Sequence, residues 1–266
     1  MQCTLNIPGL SCPLRLQVHP GPDKVSECIQ KNRIWEPYET ALILEHLWQG
    51  SVFLDIGANI GYYSVLAGTV VGVHGLVIAY EPEAENFRLL ERNIALNGLT
   101  NVRAFRTALG EQAGRGFLHL SRDNRGNHRL YDDGDGRQTA AVEIVNGDEH
   151  VGRITSRLDF IKVDAEGYEA RILEGLRAMI LPNLPHLGMV IEFCPYALRR
   201  AGTSGAQLLE NLAEYDLPLF IIDHLAHRLI PARVDELRQW VAGMDADEHN
   251  QGFMNLLLTS KPLTLL

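Results

Sequence analysis

Seven short apolar runs punctuate this chain: Val52–Asp55, Leu76–Glu81, Val102–Ala108, Phe160–Asp164, Leu187–Glu192, Leu219–Asp223 and Phe253–Thr259. Amphipathic stretches, Tyr62–Val71, Ala84–Asn97, Tyr168–Met179 and Ala206–Tyr215, lie between most of them. Strands this rich in Val, Ile and Leu have no polar face to turn to water, so each needs cover on both sides. Strands that alternate with helices find that cover in a parallel sheet. The pattern predicts an α/β fold, a mostly parallel sheet with helices on both faces. The last run follows an acidic segment of different character, Val234 to Asn250, which suggests an antiparallel hairpin at one sheet edge.

The remaining segments fit around that core. Residues 1–33 mix short apolar alternation with Pro and Gly and read as an arm or edge hairpin. WEPYETALILEHLW, from Trp35 to Trp48, has helical spacing with Glu36 and Pro37 in its first turn. Between about 114 and 145, two alternating runs bracket a polar, Gly-rich tract, which predicts a β-ribbon or flap inserted after the third strand. No linker divides residues 34–266, so a single domain is expected there. With 46% hydrophobic and 21% charged residues the chain is neither disordered nor fibrous in character. A net charge of −9 argues against nucleic acid as the main partner, since phosphate binding needs clustered Lys and Arg. The start lacks a basic, then apolar, signal pattern, and no window suits a membrane span. Four cysteines without paired spacing fit a reducing cytoplasm. The oligomeric state is not legible.

The most informative stretch is SVFLDIGANIG, residues 51–61, answered downstream by LVIAYEPEAENF. In an open parallel sheet, ligands bind beyond the carboxyl ends of the strands, beside the first one. Gly57 and Gly61 permit a close approach of backbone to ligand and of helix to strand. Asn59 takes the place where a dinucleotide fingerprint has its middle glycine, which disfavours a pyrophosphate and an NAD-type dehydrogenase. A ligand with an ammonium, a ribose and a base fits better: Asp55 can hold the positive end, directly or through water, and Glu81 can accept the ribose hydroxyls. S-adenosylmethionine meets these demands.

VFLDIGANIGYYSVLAG, YEPEAENFRLLERNIALNGL, the RTALGE strand end and DFIKVDAEGYEARILEGL together resemble the FkbM-type S-adenosylmethionine-dependent methyltransferases over about residues 34 to 195. The resemblance implies a class I methyltransferase (Rossmann-like) fold, a seven-stranded sheet with one antiparallel strand. It also implies methyl transfer to a hydroxyl oxygen of a sugar or other natural-product scaffold. Carried over by position, Asp55, Gly57, Ala58, Asn59 and Gly61 would surround the methionine part and Glu81 would bind the ribose. Pro82 and Asn86 would support the pocket, and Thr107 and Ala108 would lie at the adenine. Residues 1–33 and 196–266 fall outside the resemblance, which leaves the acceptor open.

A second acidic cluster follows. IKVDAEGYE places Asp164 at a strand end and Glu166 in the next turn, and Glu192 ends VIEF. Carboxylates at this sheet edge can position an acceptor hydroxyl or take its proton, and Asp164 is counted with the cofactor residues as well. The competing role for Asp164 and Glu166 is to cap the following helix. Carboxylates alone do not define a metal site, so no metal is assigned. His128 in the flap is a further candidate base, with Asn127 and Arg129 beside it for acceptor contacts. Glu36 is expected at the cofactor's amino group. Trp35 is expected to pack in the core, and one of Tyr62 and Tyr63 to border the cofactor. Nitrogen as acceptor, in an amide or carbamoyl group, and a non-catalytic cofactor-binding module are the alternative functions.

Overall fold

Val52–Ile56 is buried at every position, and its side chains divide between two cores. Leu54 and Ile56 join the cluster that includes Ile161, Leu173 and Leu209, whereas Phe53 joins the one that includes Leu42, Leu66 and Phe160. This alternation of neighbouring residues between opposite faces is what a central strand covered on both sides requires. The computed structural model describes residues 1–10, 12–247 and 249–261.

In chain order, β1 (Gln2–Thr4) and β2 (Arg15–Gln17) form a separate antiparallel pair, followed by α1 (Lys24–Asn32) and α2 (Pro37–His46). The alternating half is β3 (Val52–Ile56), α3 (Tyr62–Val71), β4 (Leu76–Tyr80), α4 (Ala84–Leu96) and β5 (Val102–Phe105). A small sheet of β6 (Ala108–Gly110), β7 (Gly114–Leu120) and β8 (Gln138–Asn146) comes next, then α5 (Gly147–Gly152). The second half is β9 (Phe160–Val163), α6 (Glu169–Gly175), α7 (Arg177–Asn183), β10 (Gly188–Phe193), α8 (Pro195–Arg200) and α9 (Gly205–Glu214). β11 (Leu219–Asp223), β12 (Arg228–Ala232), α10 (Val234–Asp245) and β13 (Met254–Thr259) complete it. Among the described residues no helix is long and apolar enough to cross a membrane.

The main sheet has the order β12-β11-β13-β10-β9-β3-β4-β5, eight strands rather than the expected seven. The five strands from β10 to β5 are parallel, β13 runs antiparallel between β10 and β11, and β12 runs antiparallel at the edge. Two antiparallel strands therefore replace the expected one. The hairpin at the edge is β11–β12, and the segment after it is the helix α10. The predicted third strand also divides: β5 stops at Phe105, and Ala108 opens β6, which pairs with β8 of the flap. The flap is the antiparallel pair β7–β8, as the alternation predicted. Residues of the first segment, Leu14, Leu16, Val18 and Ile29, are buried in the same core as Phe53.

Candidate functional site

The carboxyl ends of β3, β4, β9 and β10 open on a cavity of about 690 Å³, within the range of small-molecule and cofactor sites. It is lined by Glu36, Gly57, Ala58, Asn59, Glu81, Pro82, Asn86, Thr107, Ala108, His128, Asp164, Glu166 and Glu192, among others. Two expected residues are not in the lining, Asp55 and Gly61. Asp55 is 1% exposed and accepts a 2.5 Å hydrogen bond from Ser64 Oγ, so it fastens the start of α3 from behind the turn. Gly61 is the left-handed N-cap of α3, where a Cβ would meet Leu90 Cδ1 at 2.5 Å.

The turn after β3 is held to the end of β4. The N–H groups of Gly57 and Ala58 both donate to the Tyr80 carbonyl at 3.0 Å. Asn59 has φ 51°, a left-handed conformation that asparagine tolerates better than most residues, and its N–H donates to Glu81 Oε2 at 2.8 Å. Glu81 Oε1 accepts from Glu83 N–H at 2.8 Å. Each carboxylate oxygen keeps a second lone pair for a hydroxyl of a ligand. Burial pushes Glu81 up to about 8.

A roof crosses this floor. Asn86 Nδ2 donates to the Arg125 carbonyl at 3.1 Å, Asn86 Oδ1 meets His19 Nε2 at 2.8 Å, and Arg125 N–H donates to Asp23 Oδ1 at 2.8 Å. The flap, α4 and the segment before α1 are thus tied together over the cavity. Lys24 and Val25 of α1 also line it, as do Tyr196, Gln251 and Phe253. Sequence reasoning missed these five, because they belong to segments with no motif. Trp35 is half-buried, packs against the second core and lines the cavity, and Tyr62 and Tyr63 are both buried and both line it.

Asp164, Glu166 and Glu192 do converge, with carboxylate oxygens within 4.8 Å of one another. Neither Asp164 nor Glu166 caps α6. The N-cap residue is Tyr168, with no side-chain cap bond, and Glu169 in the first turn holds the preceding turn instead, accepting from the N–H groups of Ala165 at 2.9 Å and Gly167 at 3.1 Å. That frees the other two: Asp164 Oδ2 accepts from Lys162 Nζ at 2.7 Å, and Glu166 Oε2 from Asn127 Nδ2 at 3.0 Å. Burial, then the neighbouring Asp164 and Glu169, raises Glu166 to about 8. Burial and the Glu166 and Asp164 carboxylates hold Glu192 well above the usual carboxylate range. Lys162, 4% exposed, lies 5.0 Å from the Tyr63 ring centre, and Tyr63 donates to Glu36 Oε2 at 2.9 Å.

His128 is placed differently from its expected role. Its Nδ1 accepts from Ser121 N–H at 2.9 Å, so the neutral ring carries its proton on Nε2, and burial lowers its pKa to about 4. It is a donor at neutral pH, and no base. Nε2 is buried without a hydrogen-bond partner, as is Thr107 Oγ1, and both residues line the cavity. Two unpaired buried polar groups and an acidic strand end in the lining of a cavity of this size fit an adenosyl ligand.

The buried acids give a stability signature. Burial raises Glu36 to about 7, Glu169 to about 7, and Glu81 and Glu166 to about 8. The unfolded chain ionises these groups near pH 4, whereas the folded chain ionises them against burial, so stability falls as pH rises toward the folded values. The depressed histidines, His19, His46, His128 and His150, act in the opposite sense but only below about pH 6.5. The melting temperature of the ligand-free protein is therefore expected to fall between about pH 6.5 and pH 8. A melting temperature that is flat or rising across that window contradicts this reading of the acids.

The family model of the FkbM methyltransferase domain matches residues 55–225. Methyltransferase 1 of Beauveria bassiana is 24% identical over 146 residues, 47% of this chain and 58% of the relative. Methyltransferase sdnD of Sordaria araneosa is 28% identical over 154 residues, 46% of this chain and 59% of the relative. The chain thus spans less than two thirds of both. A solved FkbM methyltransferase from Methylobacillus flagellatus KT is 18% identical, with a TM-score of 0.45, covering 80% of this chain and 44% of that one.

Proposed function

Since the chain belongs to the FkbM methyltransferase domain family, we propose that it transfers the methyl group of S-adenosylmethionine to a hydroxyl oxygen of a sugar or other natural-product scaffold. The observation that carries the oxygen assignment is the convergence of Asp164, Glu166 and Glu192 at the cavity wall. A hydroxyl must lose its proton as it attacks, and a cluster of acids with raised proton affinity is suited to receive it. S-adenosylmethionine, when bound, supplies a methyl group already activated on a sulfonium.

The residues of the chain do the rest. Glu81 accepts the ribose hydroxyls while keeping the Asn59 and Glu83 N–H groups, and Ala58 and Asn59 form the floor under the amino-acid end. Thr107 Oγ1 and His128 Nε2–H offer polar contacts on the flap side. Glu36 faces the ammonium. Asn127 fixes Glu166, and Lys162 fixes Asp164, so two of the three acids are oriented and Glu192 is left to receive the proton from the hydroxyl. A cytoplasmic setting, with four free cysteines, is part of the proposal.

The test is transfer of labelled methyl from S-adenosylmethionine to a panel of glycosides, polyols and phenols, with carbamoyl and amide compounds as the competing class. Methylated ether products are expected, at a rate that rises with pH toward about 8 as the acid cluster ionises. Glu192→Gln is expected to lower kcat by about 10²-fold or more while leaving the affinity for S-adenosylhomocysteine unchanged. N-methylated products alone, or full activity in Glu192→Gln, count against the assignment.

A further inference from the structure

A second cluster joins parts of the chain that are remote in sequence. Glu36 stands at the N-terminal boundary of α2 without a side-chain cap bond, Glu39 lies in the first turn, His224 follows β11, and Asn255 is in β13. One ligand atom from each of Glu36, Glu39 and His224 lies within 4.8 Å of the other two. Glu39 is 0% exposed; its Oε2 accepts from Asn255 Nδ2 at 2.6 Å, and His224 Nε2 stands 3.7 Å from the same oxygen.

Two acceptors of this cluster lack a hydrogen-bond partner. Glu39 Oε1 and Asn255 Oδ1 are both buried without a hydrogen-bond partner, and Asn255 as a whole is 8% exposed. Two buried acceptors without a donor, beside a second carboxyl group, form an arrangement that calls for a donor or a cation. The nearby donors do not satisfy these two atoms: Lys162, whose charge acts on both glutamates, bonds Asp164 Oδ2, and the Tyr63 hydroxyl bonds Glu36 Oε2.

We propose that Glu36, Glu39 and His224, completed by the Asn255 carbonyl, bind a divalent transition cation. One imidazole nitrogen with carboxylate and amide oxygens is a donor set for Mn²⁺ or Zn²⁺, whereas Ca²⁺ and Mg²⁺ take oxygen ligands alone. The His224 side chain is 32% exposed, which gives the ion a way in from solvent. Glu36 is shared with the cavity lining, so the ion fixes a residue of the ligand site. The site stands on its own donor set and does not depend on the methyl-transfer reading.

The experiment uses full-length protein stripped with a chelator and titrated with MnCl₂ and with ZnCl₂ by calorimetry, with Mn²⁺ uptake followed by electron paramagnetic resonance. One ion per chain is expected, with affinity weakened at least about tenfold by His224→Ala and by Glu39→Gln. His224→Ala removes a partly exposed side chain and keeps the variant test independent of folding at Glu39. Absence of saturable uptake by the parent protein overturns the proposal, as does uptake that His224→Ala leaves unchanged. S-adenosylhomocysteine binding, measured on the same samples, reports separately on the ligand cavity.

Discussion

Replacing Glu81 with alanine is expected to raise the dissociation constant for S-adenosylmethionine by about 10²–10⁴-fold, the largest effect of any single side chain in the cavity. Hydrogen bonds to a charged acceptor are each worth about 1.5–3 kcal/mol, and two ribose hydroxyls double that once Glu81 is ionised, at pH about 8 and above. The substitution also strips the Asn59 N–H of its acceptor at 2.8 Å, so the turn under the ligand loses its shape. Glu81→Gln does not rescue the loss, because both carboxylate oxygens accept from backbone N–H groups and an amide NH₂ would face one of them. 5′-Methylthioadenosine, which keeps the ribose and lacks the amino-acid tail, should weaken by a similar factor. Calorimetric titration of the variant checks this, and affinity equal to that of the parent removes Glu81 from the ribose.

Gly57→Ala is expected to cost about 4 kcal/mol or more of folding stability, the second large effect. Gly57 has φ 79°, and a Cβ there would stand 1.8 Å from the carbonyl oxygen of Asp164. That oxygen belongs to the backbone at the end of β9, the strand paired with β3, so relief requires the two central strands to part. The left-handed conformation adds about 1–3 kcal/mol of its own for a residue with a side chain. Net stabilities of natural domains are only about 5–15 kcal/mol, so the variant should unfold at a much lower urea concentration or fail to accumulate. A urea midpoint like the parent's contradicts the close approach of these strand ends.

Both effects concern residues that the sequence makes visible. Asp55, Gly57, Asn59 and Glu81 lie within one βαβ unit, where strand and turn chemistry fix their relative places. Even there, sequence order does not say which side of the turn a carboxylate takes, and Asp55 turns to Ser64 rather than the cavity. The eighth strand is illegible for another reason. RLIPA at Arg228–Ala232 carries a proline and an arginine and buries only Leu229 well, as an edge strand with one neighbour can. α6 has no side-chain cap at all, and Glu169 reaches backward to the Ala165 and Gly167 N–H groups, a contact that the position of the acids in the motif does not reveal.

The tautomer of His128 depends on a backbone N–H seven residues away across the flap. Composition cannot supply such a contact. The Glu39–Asn255 pair spans 216 residues, and only the insertion of β13 between β10 and β11 brings it together. Lys162 and Asp164 stand two residues apart on one strand face, and their 2.7 Å ion pair is the local consequence of that period of two. Local geometry was therefore readable, whereas long-range electrostatics had to come from the fold.

The most direct test of the account is a calorimetric titration of the purified protein with S-adenosylmethionine, S-adenosylhomocysteine and NAD. The account predicts saturable binding of the two sulfur compounds at one site per chain and no binding of NAD. Binding of NAD in preference to either, or no binding of the sulfur compounds, would contradict it.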